Sequence, residues 1–141
     1  MKRIAAMTVC AMLLVQGGAF AHEGEKHEQK KHKTDTLMQK LHDMMPMYGA
    51  ALASVEMALE KKDASAVETE AGKMLATTPD LKKSKPHKNS KQLKTFRNIA
   101  AGFESDLKET VDLAKKGDFD KAKAAFNKAE EKCAKCHAKF R

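Results

Sequence analysis

The chain has 141 residues, a formal net charge of +8, three cysteines and no tryptophan. This length limits the globular part to one domain with a modest hydrophobic core. A basic balance can indicate nucleic-acid binding, but lysines alternate with glutamates and aspartates along most of this chain. That pattern is typical of solvated helix faces, so the composition argues against a nucleic-acid partner.

The first 21 residues have the form of a secretory signal peptide. Lys2 and Arg3 precede an apolar run over residues 4–15, and Ala19-Phe20-Ala21 has the small-x-small form of a cleavage site. Because the run is shorter than the roughly 20 residues that span a bilayer, no stable membrane anchor is expected. Cleavage would remove one cysteine and leave 25 basic and 19 acidic residues, a charge of +6.

Residues 22–33 are wholly polar and predict a disordered, histidine-rich tail. The histidines are His22, His27 and His32, and cleavage would make His22 the amino-terminal residue. An amino-terminal histidine can chelate copper through its amine and imidazole. The composition favours a plain solvated tail, and copper binding is left open.

Residues 34–141 predict a single helical domain. The first helix is expected to begin near Thr34 or Asp35, either of which can cap it. Pro46 lies inside this helix, and since the apolar seam keeps its phase across the proline, a kink is expected and not an end. The predicted inward positions of this helix are Met38, Leu41, Met45, Tyr48, Leu52, Val55 and Leu59.

Three more helices are predicted: one over residues 64–77 with a cap at Asp63, one over residues 91–116, and one from a cap at Asp118 to the end of the chain. Gly117 ends the third helix. The longest connection covers residues 78–90 and carries a run of lysines, which suits either a solvated loop or the border of a ligand or partner. The fold class is therefore all-α, with an up-down-up-down four-helix bundle.

The pentapeptide Cys133-Ala134-Lys135-Cys136-His137 is the attachment signature of c-type haem. Two thiols add to the porphyrin vinyl groups, and the histidine ligates the iron. On a helix, positions i, i+3 and i+4 share one face. A thioredoxin-like Cys-x-x-Cys would instead open a helix after a strand. The motif thus predicts one covalent haem c, and covalent haem attachment in bacteria places the protein in the periplasm.

The two cysteines also continue the apolar seam of the last helix. That seam consists of Phe119, Ala122, Phe126, Ala129, Cys133, Cys136 and Phe140. Because the cysteines occupy core positions, the porphyrin is expected inside the bundle, between helices 1 and 4.

The closing segment, residues 133–141, resembles the carboxy-terminal signature of cytochrome c′, the class II cytochromes c. In that family the haem motif ends a four-helix bundle and is followed by an aromatic residue and arginine, here Phe140 and Arg141. Residues 34–141 are also similar to the soluble four-helix periplasmic cytochrome b, notably at Phe96-Arg97. The resemblance implies haem contacts from Phe140 and Arg141.

In low-spin members of this family a methionine early in helix 1 binds the iron opposite the histidine, and Met38 matches that place. The position agrees, since Met38 and His137 each lie about four residues from the expected helix ends. His42 is the best substitute. High-spin members carry an Arg-Gln pair before this site, and Thr34 and Asp35 depart from it.

These features predict an electron-carrying cytochrome with His137 and Met38 as axial ligands. The alternative is a five-coordinate haem protein that binds nitric oxide or another diatomic gas. Copper handling by His42 and the methionines at 44, 45 and 47 is a third, less favoured class. No acid–base or nucleophile constellation indicates an enzyme.

Lysines near the haem motif predict a rim that attracts an acidic redox partner. These are Lys132, Lys135 and Lys139. Ordinary solvation of the helix would explain the same lysines. The sequence leaves open whether the chain forms a homodimer.

Overall fold

The computed structural model describes residues 36–141, which form four α-helices and contain no strand. The helices are α1 (Thr36–Glu60), α2 (Ala64–Lys83), α3 (Leu93–Lys115) and α4 (Phe119–Phe140). Each helix packs on the next along the chain, whereas α1 and α4 approach each other at few places. This arrangement confirms the predicted all-α four-helix bundle. The predicted signal peptide and tail lie outside the described residues.

Two aspartates cap helices where the sequence predicts them. The Asp63 side chain accepts a hydrogen bond from the Ala66 backbone N–H at the start of α2, and Asp118 accepts from Lys121 at the start of α4. Gly117, just past α3, has φ +78°, a left-handed conformation that favours glycine. Lys115 at the end of α3 pairs with Glu68 near the start of α2, so the two short turns lie at the same end of the bundle.

Both α1 and α2 contain a proline within a continuous helix. Helix α1 continues through Pro46, as predicted. Helix α2 also continues through Pro79 and ends at Lys83, so the predicted end at residue 77 is wrong. Pro79 cannot donate to the Leu75 carbonyl four residues earlier. The Thr78 hydroxyl donates to that carbonyl instead, at 2.9 Å.

The hydrophobic core is formed by side chains from all four helices. Val55, Val67, Met74, Phe96, Leu107 and Phe126 are among those with at most 1% exposure. In α1, the predicted seam residues nearer the two short turns, Val55 and Leu59, are buried in this core. Of the seam residues nearer the amino terminus, Tyr48 is buried, and Met38, Leu41, Met45 and Leu52 are half-buried. No helix within residues 36–141 is long and apolar enough to cross a membrane.

The connection between α2 and α3 is fixed to the end of α4. The Lys88 backbone N–H donates to the Phe140 carbonyl at 3.2 Å, and Asn89 Nδ2 donates to the Lys139 carbonyl at 2.7 Å. Pro86 in this connection is among the largest fully buried side chains. The carboxy-terminal end of α4 is therefore held from outside its own helix.

Candidate haem site

A cavity of about 500 Å³ lies in the half of the bundle where α4 ends. Its volume is within the roughly 300–1,000 Å³ typical of ligand and cofactor sites. The walls from α1 and α3 are mainly apolar and aromatic, and they include Leu41, Met45, Leu52, Phe96, Ile99 and Phe103. Both α1 and α4 contribute walls to this cavity.

The wall from α4 carries the complete haem-attachment motif. Cys133, Cys136 and His137 all line the cavity. Since α4 is helical from Phe119 to Phe140, their spacing of i, i+3 and i+4 places them on one side of the helix. The two cysteines are half-buried and free of disulfides, while His137 is exposed. The structure thus brings both thiols and the imidazole to the same cavity.

Burial changes the chemistry of the two thiols. It raises the pKa of Cys133 to about 11, with smaller contributions from Cys136 and Glu130. Burial also raises the pKa of Cys136. Because the thiolate is the nucleophilic form, both sulfurs are poorly reactive at neutral pH in the folded polypeptide.

Phe140 and Arg141 complete the end of α4. Phe140 is buried and meets Phe96 edge-on, with ring centroids 5.4 Å apart. The Arg141 backbone N–H donates to the His137 carbonyl at 3.2 Å. Both residues line the cavity. The predicted haem contacts of these two side chains are consistent with their positions beside the motif.

The register of α1 relative to α4 differs from the predicted one. The sequence-based prediction aligns the outer ends of helices 1 and 4. Measured from the two short turns, His137 lies 18 residues into α4, and the same distance back along α1 reaches His42. Met45 is then about 4.5 Å from that level and Met38 about 6 Å on the other side.

Of the two methionines, Met45 lines the cavity, and Met38 is half-buried and is not among the lining residues. Met44, by contrast, belongs to the core. The sequence predicts Met45 on the inward seam, but a register based on the outer helix ends places it too far from His137 to share the same iron.

Tyr48 provides a polar group on the α1 wall. Its hydroxyl donates to the Met74 carbonyl at 3.4 Å and lies 3.0 Å from Thr77 Oγ1. Its ring stacks on Phe103, with centroids 5.7 Å apart. Burial raises the pKa of Tyr48, against the opposing effect of the Thr77 hydrogen bond. The phenol is therefore neutral at physiological pH, and its hydroxyl is satisfied by α2.

Two histidines from distant parts of the chain meet at the cavity. His42 of α1 and His87 of the α2–α3 connection share a hydrogen bond between their Nε2 atoms, and their rings are edge-on with centroids 4.6 Å apart. Both line the cavity and both are exposed. Sequence periodicity had no signal for this contact, because His87 lies in an irregular segment 45 residues away.

The lysines of the predicted rim are partly neutralised. Lys132 Nζ lies 3.3 Å from Asp106 Oδ2 on α3, and Lys135 Nζ lies 3.4 Å from Glu131 Oε2. The stem of Lys132 passes over Gly102, where an added Cβ would lie 2.8 Å from Lys132 Cε. Glycine at this position therefore allows Lys132 to reach Asp106.

The donor set fits a c-type haem and no other metal group within the described residues. Two thiols, an adjacent imidazole and apolar walls are the requirements of covalent haem attachment. No group of three or more His, Cys, Asp or Glu side chains in residues 36–141 could hold a separate metal ion. The histidine-rich tail, for which the sequence leaves copper binding open, lies outside that range.

Fold and site together define a four-helix-bundle haem protein with its attachment motif at the end of the last helix. Residues 87–141, which contain α3, α4 and the motif, match the family model described as Cytochrome C'. This match supports the cytochrome c′ family for the chain, as the closing segment predicts. No curated protein matches the chain significantly.

The raised thiol pKa gives a test of the site in the haem-free polypeptide. In folded residues 22–141 without haem, alkylation of Cys133 by iodoacetamide at pH 8 should be much slower than in urea. Its rate should keep rising up to about pH 11, because only the thiolate reacts. Mass spectrometry of the labelled peptide measures this, with circular dichroism as the control for folding. Equal rates with and without urea at pH 8 would contradict the burial of this thiol.

Proposed function

We propose that this protein is a periplasmic electron carrier with one covalently bound haem c. The observation that carries the proposal is the shared cavity wall of Cys133, Cys136 and His137. The two thiols would hold the porphyrin, and the His137 imidazole would ligate the iron from the α4 side. When bound, haem supplies a one-electron couple whose potential depends on its axial ligands and on its surroundings.

Two features favour electron transfer over catalysis. The cavity walls are mainly apolar, and no nucleophile–base pair or paired carboxylates accompany the motif on them. His137 is exposed and the cysteines are half-buried, so the attachment motif lies near the protein surface. A cofactor held there is buried enough to exclude water and close enough to the surface for electrons to reach a partner.

A side chain of α1 would supply the second iron ligand, and a thioether there would complete a His/Met pair. Met38 remains the prediction from helix position and family resemblance. Met45 is favoured by the cavity, because it lies on the wall and is closer to the level of His137. His42 also lines the cavity, but its Nε2 is engaged by His87. We therefore take Met45 as the first candidate and Met38 as the second.

The alternative function is binding of a diatomic gas, for which the iron must have a vacant or easily vacated position. Leu41 and Leu52 lie on the same wall as Met45 and offer no ligand atoms. An iron that faced only these side chains would be five-coordinate.

Absorption spectra of the purified holoprotein separate the two functions. An electron carrier should be six-coordinate and low-spin in both oxidation states, should cycle reversibly in a redox titration, and should bind carbon monoxide slowly or not at all. High-spin iron in both states with rapid carbon monoxide binding would replace the electron-transfer proposal by the gas-binding one.

Substitution of each methionine identifies the distal ligand. Met45→Ala should convert low-spin iron to high-spin, open the site to carbon monoxide and lower the midpoint potential, since methionine ligation raises it. Met38→Ala, a matched loss of one thioether on the same helix, should keep the low-spin spectrum. The reverse result would assign the ligand to Met38. An unchanged spectrum in both variants, with its loss in His42→Ala, would assign it to the imidazole.

A further inference from the structure

The positive charge of this protein is concentrated in one segment. Residues 81–103 contain seven lysines and arginines and no aspartate or glutamate. Outside this segment, residues 22–141 hold 18 basic and 19 acidic residues, which nearly cancel. The net charge of the mature chain therefore comes from the end of α2, the α2–α3 connection and the start of α3.

Most of these cations are exposed and have no carboxylate partner in the described part of the chain. Lys82 differs from these residues, because it pairs with Glu104 at 2.6 Å. The exposed set, here called the basic loop surface, consists of Lys83, Lys88, Lys91, Lys94 and Arg97. In contrast, Lys132 and Lys135 of α4 have their own carboxylates.

The basic loop surface has a fixed position beside the haem-attachment motif. Lys88 donates its backbone N–H to Phe140, three residues after His137, and Asn89 binds the carbonyl of Lys139. Phe96, between Lys94 and Arg97 on α3, lines the cavity and meets Phe140. The charges are thus held at the end of the bundle where an electron would enter or leave.

The placement of these charges does not serve the stability of α3. Lys91 precedes this helix and Lys94 lies in its first turn, which contains no acidic residue. The positive end of the helix dipole favours carboxylates at such positions and disfavours lysines. A role in binding an external negative charge accounts for cations at these sites.

We propose that the basic loop surface docks an acidic protein that exchanges electrons with the haem. The inference rests on the proposed function and moves the docking site from the α4 lysines to the α2–α3 connection. Clustered unpaired charges steer an oppositely charged partner and raise the association rate by about 10- to 1,000-fold at low ionic strength. The occupant is an acidic protein surface close to the exposed edge of the site.

The test uses the holoprotein and an acidic flavodoxin as the reducing probe. The loop variant carries Lys88→Glu, Lys91→Glu and Lys94→Glu. The control carries Lys61→Glu, Lys123→Glu and Lys128→Glu, which changes net charge equally at exposed lysines outside the loop. Stopped-flow reduction is measured at an ionic strength of about 10 mM, where charges act over about 30 Å, and again at about 0.5 M.

The loop variant should be reduced at least about tenfold more slowly than wild type at low salt, and the control should fall by a smaller factor. The difference should vanish at high salt. The melting temperature of the loop variant should not fall, and its midpoint potential at about 0.5 M ionic strength, where the substituted charges are screened, should match that of the control. These two measurements separate docking from damage to the fold or the haem site. Equal rates in the two triple variants would overturn the proposal.

Two further outcomes also decide against the docking surface. If wild type retains duplex DNA at physiological salt and the loop variant does not, the surface belongs to a nucleic acid. A wild-type protein with normal haem spectra but salt-independent reduction would reject docking and leave the proposed electron carrier intact. Absence of a reducible haem would instead reject the proposed function itself.

Discussion

The structure depends on the attachment of the last turns of α4 to the rest of the bundle. Terminal turns of a helix fray readily, yet this one carries the haem motif. Here its carbonyls accept hydrogen bonds from Lys88 and Asn89, and the Phe140 ring packs edge-on against Phe96. These contacts hold both thiols and the imidazole on the cavity wall. They also bring the α2–α3 connection, with the exposed side chains of Lys88 and Lys91, to the same end of the molecule.

Much of the fold follows from local signals in the sequence. Period-3.6 apolar seams, aspartate caps at residues 63 and 118 and the left-handed glycine at 117 are each short-range features, and the helices they predict are present. The end of α2 lies beyond the predicted residue 77, because the helix continues through Pro79 to Lys83. Its extension depends on the Thr78 hydroxyl, which replaces the missing donor, and on burial of Leu81 in the core.

In the candidate site, likewise, one part follows from local sequence and another part does not. The Cys-x-x-Cys-His motif defines the α4 wall, since all of its chemistry lies within five residues of one helix. The α1 wall depends on how two helices with different outer ends align, and periodicity within a helix does not determine that alignment. The sequence therefore predicts Met38 as the second iron ligand, whereas the cavity wall contains Met45. The contact between His42 and His87 joins a helix to an irregular loop, for which a single sequence has no pattern.

The central claim is that Cys133 and Cys136 bind haem covalently, and mass spectrometry of the protein from its native compartment tests it most directly. After acid–acetone extraction and proteolysis, the peptide that contains both cysteines should keep the colour and carry the added mass of one haem. A Cys133/Cys136 double serine variant should release any haem that it binds into the acetone. A wild-type peptide at its unmodified mass, with the haem in the acetone, would contradict the account.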